Sequence, residues 1–129
     1  MKFTALIAGL LLFLGQCDTD ESSAKGKCFK VSFVNGICLD AVLKIEDPAF
    51  YEYGETSEGM SNVFMATFPC GTDWDLISAA TPESGKTFFV EITPQPDEPT
   101  CVRCKATVAY EGEKRVFARV TDSRCNPVQ

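Results

Sequence analysis

Seven cysteines in 129 residues constrain this chain more than any other feature. Exported proteins normally pair their thiols, and a domain of this size relies on such crosslinks to supplement a modest core. Cys28, Cys38, Cys70, Cys101, Cys104 and Cys125 fall within a stretch whose apolar and polar residues alternate, so the expectation is three bridges across a small β domain. Each bridge would contribute roughly 2–4 kcal/mol. The seventh, Cys17, stands apart from the rest, and an odd cysteine in an exported chain needs its own explanation.

That explanation lies in the residues before it. Met1-Lys2 precedes a short uncharged apolar run from Ala5 to Leu14, the pattern of a cleaved export signal. The run is well short of the ~20 residues a bilayer span needs. For ordinary signal cleavage, Phe13-x-Gly15 places a ring where a small residue is wanted, and Ser22-x-Ala24 lies past three acids, leaving Gly15-x-Cys17. Leu14-Gly15-Gln16-Cys17 looks like a lipobox, an aliphatic residue and a small one leading to the cysteine that takes the diacylglyceryl group; Gln16 departs from the usual small residue. The acidic stretch Asp18 to Ser23 follows directly.

In these features the chain resembles short uncharacterised lipoproteins of Gram-negative bacteria, over residues 1–23 only. The resemblance implies a signal peptide at 1–16, a lipid anchor on Cys17 and an acidic tether over 17–26; the length that remains reads as a single β domain over 27–129. It also implies a place in the outer membrane or at the cell surface; a secreted or periplasmic protein is the alternative. Removing residues 1–16 takes Lys2 with it and moves the formal net charge from −6 to −7, so nucleic acid is not an expected partner. Membrane attachment would then depend on the lipid.

Within the domain, Phe29, Val31 and Phe33 alternate with polar residues, and the alternation resumes after Asn35-Gly36 at Ile37, Leu39, Ala41, Leu43 and Ile45. This predicts a hairpin. A three-residue loop, Val34-Asn35-Gly36, pairs Phe33 with Ile37, Val31 with Leu39 and Lys30 with Asp40. In that register Cys28 and Cys38 are too far apart to bond to each other. Residues 46–62, acidic and glycine-marked, read as the main irregular loop, and Val63 to Phe68 as a strand. Thr72, with Asp75 three residues on, predicts the cap of a short helix through Ala80, with Trp74 as a core anchor. Thr87 to Thr93 predicts a further strand, and the proline-rich 94–99 an extended connection. A second hairpin is expected from Cys104 to Val120, turning at 111–113, pairing Val108 with Val116 and bringing Cys125 to Cys101 or Cys104. The predicted fold class is mainly β: a small disulfide-stapled antiparallel β sandwich or open barrel of six strands with one short helix.

The chain has no histidine, which excludes Ser-His-Asp and Cys-His catalysis and histidine metal sites. No catalytic residues, cofactor or metal site are expected. Cys101-Val102-Arg103-Cys104 is the one motif with a redox reading, yet the residues after it alternate as a strand, whereas an exchange-active pair uses a helix N-terminus. Structural disulfides are the expected use. Glu46, Asp47, Glu52, Glu55 and Glu58 could offer oxygen ligands to Ca²⁺, without any recognised calcium-loop spacing. Phe50, Tyr51 and Tyr53 could form a stacking platform for a ligand or tie their loop to the core. The functional expectation is an anchored binding or structural module with a protein, peptide or glycan ligand. An extracytoplasmic thiol oxidoreductase using Cys101 and Cys104, or a small secreted protease inhibitor, are the alternatives.

Overall fold

The structure, a computed structural model, describes residues 27–94, 104 and 106–128. The expected signal, the Cys17 anchor, most of the proline-rich connection and Cys101 lie outside these residues.

Six strands form in the order β1 (Cys28–Ile37), β2 (Asp40–Ile45), β3 (Glu55–Ser57), β4 (Met60–Thr67), β5 (Phe88–Thr93) and β6 (Arg115–Thr121), with helix α1 (Trp74–Ala79) between β4 and β5. Strand β1 pairs antiparallel with β2 and β5, β2 with β4, and β5 with β6. The ring closes where β6 runs parallel to β4, Met65 opposite Arg115 and Thr67 opposite Phe117. Five strands cannot close all antiparallel, because alternating directions around an odd ring must meet one like pair. That parity supplies the parallel contact. Strand β3 sits on the first half of β4, ahead of the stretch that β6 uses. Strands β1, β2 and β4 follow one another across the sheet and β5 returns beside β1, a Greek key. The domain is therefore mainly β and disulfide-stapled; its barrel is closed and mixed. A five-stranded Greek-key barrel is the architecture class of the OB-type barrels, a statement about fold and not about activity.

Period-two alternation fills the barrel. Phe29 and Val31, Ala41, Leu43 and Ile45, Phe64 and Ala66, Phe88 and Val90, and Ala118 and Val120 all point inward and are buried. Ile77 of α1 and Ala80 just beyond it join this cluster. The helix starts at Asp73, whose carboxylate accepts from the amides of Asp75 and Leu76. Thr72 is not the cap; its hydroxyl donates to the Pro69 carbonyl instead. Trp74 stands edge-on to Phe33 at 5.8 Å, partly buried against the core.

Three expectations about pairing are corrected. The first hairpin turns at Cys38-Leu39, both left-handed (φ 57° and 71°), with Ile37 opposite Asp40 and Gly36 opposite Ala41. A bulge at Val34 then resets the phase, giving Phe33 opposite Leu43 and Val31 opposite Ile45. Lys30 therefore does not face Asp40: it lies over the Phe89 ring, and Asp40 accepts from the Thr67 hydroxyl at 2.7 Å. Second, residues 46–62 are largely regular. A 3-10 turn at Pro48–Tyr53, capped by Asp47, leads into the β3–β4 hairpin. Third, residues 106–110 form no hairpin with β6, because β5 and β4 already occupy both of its edges.

The disulfides follow this topology. Cys28 joins Cys125 (Cα–Cα 5.3 Å) and Cys38 joins Cys104 (Cα–Cα 5.8 Å). Cys28 and Cys38 are indeed not bonded to each other, lying at opposite ends of β1. The expected link from Cys125 to Cys101 or Cys104 is not formed: without the second hairpin, the chain leaving β6 turns back beside the start of β1. Cys70 is disulfide-bonded too.

Candidate functional site

The outward face of β2 and β4 carries Val42, Val63 and Met65, an apolar row that strand alternation alone would leave in water. Residues 106–110 cross it as an irregular strap and bury Val108 and Tyr110 on the row. The strap is fastened at both ends, by the Cys38–Cys104 bridge and by Glu55 of β3. The Glu55 carboxylate accepts from the Tyr110 hydroxyl at 2.5 Å, the Lys114 amide at 2.6 Å and the Glu113 amide at 3.0 Å. The Tyr110 hydrogen bond, then the two amides, hold Glu55 below the usual carboxylate range. Burial and then the bond to Glu55 push the Tyr110 phenol upward, so it remains a donor throughout neutral pH. The Arg115 guanidinium braces the same corner by donating to the Tyr110 carbonyl at 2.7 Å.

Beside the strap the same face opens into a groove of about 550 Å³. Val34 and Met60, which pack against the strap's apolar cluster, form one side. The 3-10 turn at Pro82–Ser84 and the Thr81 before it bound the groove, and Lys44 of β2 and Tyr51 add an exposed cation and an exposed ring. Asn62 also lines it with a left-handed backbone (φ 60°) inside β4. That conformation fits the close approach of Gly54, where any Cβ would lie 2.8 Å from the Asn62 carbonyl carbon. A cation, a phenol ring, an amide and hydroxyls on strand-held walls can grip a polar ligand that has a flat or apolar face.

Of the aromatic trio Phe50, Tyr51 and Tyr53, the fold commits two to packing. Phe50 and Tyr53 stack on Phe29 at 5.0 and 5.7 Å, and only Tyr51 remains exposed at the groove. The acids are likewise dispersed: Glu46 accepts from Ser32, Asp47 caps its 3-10 turn and Glu55 holds the strap. Among the described residues no group of three or more potential ligands could hold a metal ion. Cys104 is bonded to Cys38 on irregular chain, so it does not form a local redox pair with Cys101. The Glu55 clamp and the groove residues Lys44, Met60 and Asn62 escape sequence reasoning, because no local motif marks contacts between such distant segments.

No protein-family model, curated protein or solved structure matches this chain. Among the described residues no helix is long and apolar enough to cross a membrane. The disulfides fit an oxidising, extracytoplasmic compartment.

Proposed function

We propose that the chain is an exported, lipid-anchored binding module in the outer membrane or at the cell surface, and that it presents the groove beside the strap to a peptide or glycan ligand. The observation that carries this reading is the exposure of Tyr51 and Lys44 on a groove whose walls are barrel strands and the 3-10 turn at Pro82–Ser84. Such walls lose little entropy on binding, since the loop ordering that usually weakens association has been completed by folding. Tyr51 supplies a face for a sugar ring or a proline, and Lys44 a charge for an anionic group.

The test is a panel of glycans, peptides and envelope extracts presented to the oxidised protein, with Tyr51→Ala and Lys44→Gln alongside. A ligand whose affinity falls about tenfold in Tyr51→Ala supports the reading, that being the usual scale for an aromatic contact. A ligand indifferent to both substitutions rejects the groove. No binding across the panel, with normal envelope integrity in a deletion strain, rejects the module.

A further inference from the structure

A second concavity, of about 530 Å³, lies between α1, the start of β5 and the end of the described chain. Its walls are apolar: Leu76 and Ala79 from α1, Phe88 and Phe89 from β5, and Val128. Leu76 and Val128 remain 37% and 44% exposed, large apolar side chains left in water at its mouth. Three polar residues, Lys86, Thr87 and Thr121, interrupt these walls. Thr121 is 4% exposed, and its hydroxyl is buried with no hydrogen-bond partner among the described residues. Lys86 is the only charged residue in the lining, and it has no ion-pair partner among the described residues. A buried hydroxyl with no partner is costly, and natural structures tolerate few of them.

From the apolar walls, the unsatisfied hydroxyl and the single free cation, we propose that this concavity is a binding site for a single-chain fatty acid. The alkyl chain covers Leu76, Phe88 and Val128, while the carboxylate meets Lys86, and rotation of the Thr121 side chain about χ1 brings its buried hydroxyl out to the same oxygens. An extended peptide with a free C-terminus shares the carboxylate but fits less well. Its backbone amides need a strand edge, and β5, which forms one wall, already pairs with β1 and β6. The site is separate from the groove beside the strap and does not depend on that groove's ligand.

The experiment titrates the oxidised chain calorimetrically with decanoate below its micelle concentration, with decanol, acetate and a leucine-rich peptide acid as comparison arms. Saturable one-site binding of decanoate, weaker binding of decanol and none of acetate are expected. Lys86→Glu, at an exposed position, should weaken decanoate about tenfold and leave decanol unchanged. Thr121→Val should weaken decanoate as well, yet raise the melting temperature of the unliganded protein, because it removes the unsatisfied group. If Thr121→Val fails to fold, the Lys86→Glu comparison still decides. Unsaturable uptake, decanol binding as tightly as decanoate, or decanoate binding unchanged by Lys86→Glu overturns the proposal. Tighter binding of the peptide than of decanoate overturns the fatty-acid assignment.

Discussion

Glu55 shows how one residue can fasten an element to which it does not belong. Its three donors all come from residues 110–114, so ionisation of a single carboxyl is linked to the seating of the strap. A carboxyl whose pKa is lower in the folded than in the unfolded chain stabilises the fold fully above its unfolded value. That stabilisation is lost as pH falls through the lowered folded value. For Glu55 the window therefore begins near the ordinary value of 4.5 and extends below it. Asp122, lowered chiefly by its hydrogen bond from the Asn126 amide, adds the same sign in the turn that carries Cys125. Thermal melts should test the Glu55 linkage: Glu55→Gln should melt below the native protein at pH 7, and the gap should narrow as the pH of both falls below 4.5. A gap that persists unchanged at low pH would show that the Glu55 contacts act independently of its charge. Gly112 tests the same corner sterically, since a Cβ there would sit 2.5 Å from Glu55 Oε2 and 2.6 Å from the Tyr110 ring. Gly112→Ala should destabilise the protein by roughly 1–3 kcal/mol, the usual cost of overpacking, as read by denaturant unfolding.

The strap is a strand in its burial pattern and a loop in its bonding. Val108 and Tyr110 are buried at alternate positions, as in a ladder, but the barrel offers them no free edge. Its placement therefore depends on side chains and on the Cys38–Cys104 bridge. Replacing both cysteines by alanine should cost about 2–4 kcal/mol. Amide exchange should accelerate over 106–110 and remain slow in β5 and β6; equal acceleration everywhere would mean that the bridge supports the whole barrel rather than the strap. The same contrast between burial and bonding explains what the sequence could reveal. Period-two alternation marks β1, β2, β5 and β6, since each turns alternate apolar side chains into the barrel. It does not reveal phase, because the bulge at Val34 and the left-handed Cys38-Leu39 turn are carried by residues with no turn signature. Asn35-Gly36 is a decoy: Gly36 lies inside β1, where its missing side chain admits the Asp40 carbonyl, 2.5 Å from any Cβ. Of the site, Tyr51 is legible as an aromatic in an acidic stretch. Lys44 and the Glu55 clamp are not, because each acquires its role only when β2 and β4 are side by side.

At the scale of the whole molecule, closure makes stability collective. Phe29 sits where this is greatest, in the barrel with Phe50 and Tyr53 stacked over it and Phe64 against its edge. Phe29→Ala should cost about 3–5 kcal/mol in equilibrium unfolding, with strands on both sides of the ring losing protection together. The disulfides extend the argument to the segments beyond the barrel. Cys28–Cys125 ties the start of β1 to the turn after β6, Cys38–Cys104 ties the hairpin tip to the strap, and Cys70 is bonded as well. Cys17 and Cys101 are the two cysteines left to supply its partner. An anchored protein requires that partner to be Cys101, because a thiol that carries a diacylglyceryl group cannot also carry a disulfide. Peptide mapping without reduction should then recover Cys70 with Cys101, and intact mass should show acyl chains on an N-terminal Cys17. One chain alone holds a protein marginally, but each buried CH₂ contributes about 0.8 kcal/mol, so the two or three chains of a mature lipoprotein hold it stably. Cys17→Ser should release the protein from the membrane with its melting temperature unchanged. Recovery of Cys70 with Cys17, or a mature chain that begins beyond Cys17 without lipid, would end the anchored reading and leave an ordinary secreted barrel whose groove could still bind.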